Sequence, residues 1–242
     1  MNLTAEAWLM LLALALYVYD AALLLESNEL MLVQGRAGLW LVGFGANGWK
    51  LGGKEPFIPN LLAPWRAMVR VRWSFEEGLS GPRSDDGMLL PEVGTAPKVA
   101  VTVLLALIFL VFPACLFVYP VTALTLSVVA LIYATCAITL AMLYLEREPL
   151  ALSRPGFWKL CAECFACPPF CINAVRKAAL MAPARVALTD IATHPARCVW
   201  TGELNRQLAI RVREQMDVET EGSDRMGRLG GVANTLELER KS

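Results

Sequence analysis

Four of the seven cysteines in this chain fall within eleven residues, as Cys161-Ala-Glu-Cys164-Phe-Ala-Cys167-Pro-Pro-Phe-Cys171. Thiols at this density suit metal ligation, thiol–disulfide exchange or acylation. A second residue with chemical potential is Asp20, the lone ionisable side chain inside any of three long apolar runs. A charge at such depth is costly unless it is used or paired. The single histidine, His194, excludes a histidine-rich metal site and a bis-histidine haem site, and gives a Ser-His-Asp hydrolase no second histidine to draw on. No Walker motif is present. Residues 43–48 carry the letters of a G-x-G-x-x-G run, but they sit on an expected hairpin and open no helix, so they are turn chemistry.

The cysteine spacing resembles the C-x2-C-x2-C-x3-C run of bacterial ferredoxins, in which three thiolates wrap one iron–sulfur cluster while the fourth, followed by proline, serves another. Over these eleven residues the resemblance implies a cluster on Cys161, Cys164 and Cys167, with Cys171 or the distant Cys198 as fourth ligand. Here Ile172 follows Cys171, and no second run exists. The expectation from the residues themselves is therefore no metal and no cofactor. The cysteines then act as small apolar side chains on an interfacial segment broken by Pro168-Pro169. A reducing cytoplasm disfavours a disulfide among them.

The elements that position these residues are set by hydrophobicity. The chain has 242 residues and is 56% hydrophobic, with its apolar residues bunched into runs at 7–25, 99–118 and 121–144. A span needs about 20 residues to cross about 30 Å of hydrocarbon. The first run is a retained span rather than a signal peptide, because residues 1–6 hold no lysine or arginine and no small-residue cleavage pattern follows Leu25. The second and third are joined by Tyr119-Pro120, which makes a tight helical hairpin. On the third, Ala130, Ala134, Ala137 and Ala141 would let another helix approach closely. Asp20 is expected to accept hydrogen bonds from Tyr17, Tyr133 or a threonine of the third span, or to meet interfacial water.

All 22 lysines and arginines lie within residues 36–98 or 147–241. The positive-inside rule puts both regions in the cytoplasm, with the N-terminus outside, as in a multi-pass protein of a bacterial inner membrane. The zero net charge gives no field for nucleic acid.

Between the first two runs the period changes to two. Short strands are expected at residues 30–33, 39–44 and 49–51, the latter two separated by a turn at Asn47-Gly48, followed by residues 68–75. In the last of these, Val69, Val71, Trp73 and Phe75 alternate with Arg70, Arg72 and Ser74. Arg66, Arg70 and Arg72, and later Arg176, Lys177 and Arg185, are candidate contacts for lipid head groups or an acidic partner. Helices are expected at residues 174–192 and 202–216. In the second, Leu204, Leu208, Val212 and Met216 form an apolar stripe, with Arg206, Arg211 and Arg213 on other faces.

The expected fold is an α-helical integral membrane protein with three transmembrane helices, a small cytoplasmic antiparallel β-meander and C-terminal interfacial, amphipathic helices. The parts are a first span (1–27), a β-rich domain (28–97), the helical hairpin (98–145), a membrane-proximal helical region (146–216) and a disordered tail (217–242). The composition favours a non-enzymatic accessory or scaffold subunit whose partners are membrane lipid and other membrane subunits or copies of itself. The alternatives are a redox subunit with an iron–sulfur cluster at residues 161–171 and, behind it, a homo-oligomeric transporter using Asp20. On this topology, reporters fused at Ser242 and near Glu92 are both cytoplasmic and one ahead of Asn2 is external. A periplasmic signal from the Ser242 fusion would reverse the orientation.

Overall fold

The computed structural model describes residues 4–35, 39–46, 49–74, 93–118, 123–150, 152–181, 184–187, 198–199 and 202–216. The expected Asn47-Gly48 turn, the segment 76–92, the Tyr119-Pro120 turn and the tail from Asp217 lie outside them. The chain is mainly helical with a small β part, and it divides into two units.

The first unit comprises Met1–Leu23, Ile58–Ala67 and Pro91–Ala182. Helix α1 (Ala5–Ala21) is capped by Thr4, whose hydroxyl accepts a hydrogen bond from the Ala7 N–H. It is shorter than the apolar run that encodes it, 17 residues or about 25 Å. Ala22 is extended, and the end of the run becomes strand β1 (Leu23–Leu25). A continuous apolar run carries no period that separates helix from buried strand, which is why the change is invisible in sequence.

Among the described residues, two helices are long and apolar enough to cross a membrane, Thr95–Val118 and Ala123–Leu145. The first consists of α2 (Thr95–Ala106), a wider π-helical turn (Leu107–Val111) and α3 (Phe112–Val118). Pro113 supplies the cause of the widened turn: it lacks an N–H and its ring crowds the preceding turn, denying the regular hydrogen bond four residues back. The second is α4 (Ala123–Leu145), which buries Val128, Ile132, Cys136, Thr139, Leu140 and Leu143. The Thr135 and Thr139 hydroxyls donate to the carbonyls of Leu131 and Thr135, each 2.8 Å away in their own helix. At the foot of the pair, the Gly94 N–H donates to Glu146 Oε2 at 2.8 Å. A Cβ at Gly94 would meet that carboxylate, so a larger residue there requires Glu146 to swing aside and give up this contact. After α4 come α5 (Arg154–Ala166), the single turn α6 (Pro168–Cys171) and α7 (Ala174–Leu180).

The second unit comprises Leu24–Phe57, Met68–Leu90 and Pro183–Ser242. Strands β2 (Glu29–Gln34), β3 (Trp40–Gly43) and β5 (Met68–Ser74) form the antiparallel centre of a five-stranded sheet whose edges are β6 (Ala184–Ala187) and β7 (Cys198–Val199), in the order β6-β5-β2-β3-β7. Strand β4 (Glu55–Phe57) pairs with β1 in a separate two-stranded sheet. The register opposes Leu30 with Val71, Leu32 with Val69, Met31 with Arg70 and Glu29 with Arg72. One face thus carries leucine and valine, all buried, and the other carries the arginines with Glu29 and Met31. The side chains of Trp73 and Phe75 lie outside the described ones.

Three expectations are corrected. The antiparallel pairing of β2 with β3 and β5 stands, but the sheet does not end with that meander, because β6 (Ala184–Ala187) and β7 (Cys198–Val199) join its edges in parallel from far along the chain. The helix expected over 174–192 is only α7, ending ahead of Pro183, with β6 beyond it. Residues 49–51 form no full strand. Leu51 makes a single bridge to Lys54 across Gly52 and Gly53, whose φ angles of 59° and 80° suit a two-residue turn that glycine alone adopts cheaply.

Helix α8 (Gly202–Met216) covers part of this unit with Leu208, Ala209 and Val212. Its partner is therefore found within the chain. Arg211, which the stripe placed on a polar face, is only 2% exposed; it pairs with the equally buried Glu55 and stacks over Phe44 at 4.8 Å. A buried ion pair is sensitive to the loss of one member, since the other is left charged without a partner. Arg211→Ala is expected to destabilise the protein by about 3–5 kcal/mol, whereas Glu55→Leu with Arg211→Met costs much less. Thermal unfolding of the purified variants measures the difference.

Candidate functional site

Asn173, Arg176 and Lys177 stand three and four residues apart at the start of α7, a spacing that gathers them on one face of a helix. They face the C-terminal end of α1 and the segment Ile58–Ala67. Lys177 Nζ lies 2.5 Å from Asp20 Oδ1 and 2.7 Å from Glu163 Oε2 on α5, and over the Phe170 ring at 4.8 Å. Asn173 Nδ2 donates to the other Asp20 oxygen at 3.1 Å. Arg176 donates to the carbonyls of Asn60 at 2.6 Å and Ala63 at 2.8 Å, and to Asn173 Oδ1 at 3.0 Å. The Tyr17 hydroxyl donates to the Leu61 carbonyl at 2.5 Å, and its ring packs against Phe109.

Two carboxylates and two cations balance in this cluster. Burial works against the charge on Lys177, but hydrogen bonds and attraction from Asp20 and Glu163 outweigh it and raise its pKa above that of an ordinary lysine. Lys177 stays an ammonium, unsuited to act as base or amine nucleophile. Burial lowers the pKa of Arg176, yet from a starting value so high that the guanidinium remains charged. Asp20 is held by Lys177 and Asn173, while the Thr135 and Thr139 hydroxyls, which the sequence offers as donors to it, bond within their own helix. The residues that the sequence reading missed are Glu163 and Asn173. A search for cations able to reach Asp20 raises Lys177, which the sequence also offers to lipid head groups or an acidic partner.

The six candidate head-group residues separate in the same way. Arg176 is 2% exposed and bonded within the chain. Lys177 is held by its two carboxylates. In the second unit, Arg70 and Arg72 lie within 3.7 Å and 3.9 Å of Glu29, and Arg72 also pairs with Glu26. Arg66 is half-buried. Arg185 stands opposite Arg72 in the β5–β6 register, its side chain outside the described ones.

Among the cysteines, Cys164 and Cys171 are buried while Cys161 and Cys167 are partly open. Cys171 hydrogen-bonds to Cys136 on α4 and to Cys164, contacts that with burial push its thiol far up. Burial likewise raises Cys161 and Cys167. All are free thiols, and among the described residues no group of three or more His, Cys, Asp or Glu is arranged to hold a metal ion. Cys198 lies on β7 with its side chain outside the described ones.

No protein-family model, curated protein or solved structure matches this chain. Single-cysteine variants test the thiol environments directly. Under native conditions a maleimide is expected to modify Cys161 and Cys167, with rates still climbing through the upper end of the usual thiol range, and to spare Cys164 and Cys171 until denaturant is added. Fast native labelling of Cys171 would contradict the packing.

Proposed function

We propose that this chain is a non-enzymatic, multi-pass membrane protein, an accessory or scaffold subunit in which α1 joins the two long helices as a third span. The observation that carries this reading is the state of Asp20. Its carboxylate is occupied by Lys177 and Asn173 in a charge-balanced cluster, which suits a strut between elements rather than a stepping stone for protons or ions. Lipid is the surrounding that suits the exposed side chains of α1, among them Trp8, Leu9, Leu11, Leu12 and Leu14. The lysine and arginine distribution supports a reading with the N-terminus outside and both basic regions on the cytoplasmic side, which we propose is that of a bacterial inner membrane.

Ala130, Ala134, Ala137 and Ala141 are exposed on α4. Small side chains there favour close approach of another span, which supports membrane subunits or a second copy as partners. The second unit, closed by α8 and its buried ion pair, serves as the folded cytoplasmic platform.

Two measurements test the reading. Alkaline carbonate should leave the protein in the membrane fraction while detergent extracts it. Reconstituted in vesicles with a pH gradient, it should dissipate that gradient no faster than protein-free vesicles. A proton leak abolished by Asp20→Asn, with protein level unchanged, would overturn the scaffold role in favour of ion handling.

A further inference from the structure

Three contacts show how far the segment after α4 climbs back along that helix. Tyr144 in the last turn of α4 packs on Phe157 in the first turn of α5, with ring centroids 5.0 Å apart. Cys171 of α6 hydrogen-bonds to Cys136, which lies about 12 Å from Tyr144 along α4. The chain then returns, because Met181 at the end of α7 sits beside Gly156, its Sδ 3.2 Å from where a Cβ on that glycine would stand. Entry and exit therefore share one level, at the foot of the helix pair, and α6 is the apex. Both α6 and α7 pack against α2 as well as α4. At the apex Asn173 donates to the Tyr17 carbonyl at 3.4 Å, and the Tyr17 ring meets Phe109, midway along the apolar run 99–118.

The outer surface of this excursion suits hydrocarbon. Arg154 and Lys159 are exposed, and both belong to its entry end, beside the exposed Trp158. From Leu160 to Met181 the exposed residues are Ala162, Phe165 and Ala166, with no charge among them. The charged residues of that stretch are engaged inside the unit. Lys177 pairs with Asp20 and Glu163, and Arg176 donates to the carbonyls of Asn60 and Ala63. The segment Ile58–Ala67, held by that guanidinium, follows the same rule. Its Leu61 carbonyl accepts from Tyr17, the Leu62 N–H donates to Asn60 Oδ1, and Pro59 and Pro64 have no N–H to leave unpaired. Ile58 and Leu62 stand exposed on its outer side. Irregular backbone is tolerated at membrane depth only where protein groups satisfy it in this way.

We propose that α5, α6 and α7 form a re-entrant hairpin, which enters the hydrocarbon beside the C-terminal end of α4, turns at α6 and leaves on the same side, with the acyl chains of that leaflet against Phe165 and Leu62. The inference rests on the membrane reading and replaces its membrane-proximal helices with embedded ones. Two features select acyl chains over water or a protein partner. Exposed charge is confined to the entry end, where Trp158 suits the boundary, and the polar groups near the apex are taken up within the chain. The same depth accounts for the balance of two carboxylates with two cations, since an unmatched charge there is costly.

The test uses the full-length protein in vesicles of phosphatidylcholine brominated either near the head group or near the chain middle. Fluorescence gained in Phe165→Trp reports the deep part of α5, and fluorescence lost in Trp158→Phe reports its entry, about 10 Å away along the helix. Leu131→Trp, at an exposed position midway along α4, is the reference for a lipid-facing site. The tryptophan at 165 should be quenched about twofold more by the chain-middle bromine than by the shallow one, as at 131, and Trp158 should show the reverse order. Aqueous iodide should quench neither 165 nor 131. Leu62→Trp is a second deep reporter, expected to follow 165, and it keeps the test decisive if Phe165→Trp disturbs the fold. Shallow quenching alone at 158, 165 and 62 would overturn the proposal in favour of a helix lying on the surface. Iodide quenching at 165 and 62 without any bromine effect would overturn it in favour of an aqueous segment. Either result with 131 still quenched from the chain middle sinks this inference alone, whereas loss of the response at 131 sinks the membrane reading itself.

Discussion

Burying a carboxylate at the end of an apolar helix is tolerable only when a cation meets it, and Lys177 meets Asp20. The same ammonium takes Glu163 from α5, so one side chain of α7 holds α1 and α5 at once. Arg176, next in the chain, takes two carbonyls of the segment Ile58–Ala67. Helix α7 has only seven residues, too short to be stable by propensity. It persists because Ala174, Val175, Ala178 and Ala179 are buried on the faces that the polar residues leave free. Polar satisfaction and apolar packing alternate around a two-turn helix, and the geometry of the first unit follows from that alternation.

The second unit solves a similar problem with different residues. Glu55 and Arg211 are each almost wholly buried, and the phenyl ring of Phe44 covers the guanidinium. Among the described residues, Nε and Nη1 of Arg211 have no hydrogen-bond partner, which makes the pair a weak source of stability and a stronger source of register. A helix with a generic apolar stripe can slide by a turn on a surface of valine and leucine. A buried charge cannot, because only one position offers its counter-charge. Gly45 belongs to this arrangement, since a Cβ there would collide with Glu55.

Local periodicity made part of this legible. The alternation of Val69, Arg70, Val71 and Arg72 identifies a strand and its buried face, and the long uncharged runs identify the two long helices. Long-range pairing was not legible. Arg211 and Glu55 are 156 residues apart, as Asp20 and Asn173 are 153 apart, and nothing local marks either as a partner. The run through Leu23–Leu25 reads as helix in sequence and folds as a strand, because an unbroken apolar run has no period that separates the two. The parallel strands β6 and β7 are short and come from far along the chain, so only tertiary pairing defines them. The cysteine run drew notice for its spacing, whereas its structural partner, Cys136, lies in an apolar helix where a thiol looks like any small side chain.

The Asp20–Lys177 contact acts as a structural tie between α1 and α7. A double-mutant cycle in the full-length protein, with Asp20→Asn, Lys177→Met and both together, followed by reversible unfolding in detergent, isolates the contact from the separate costs of each change. A tie of this kind predicts a coupling of about 1–3 kcal/mol, the double variant being less destabilised than the sum of the single ones. Additivity within about 0.3–0.5 kcal/mol, the range of independent sites, would contradict it.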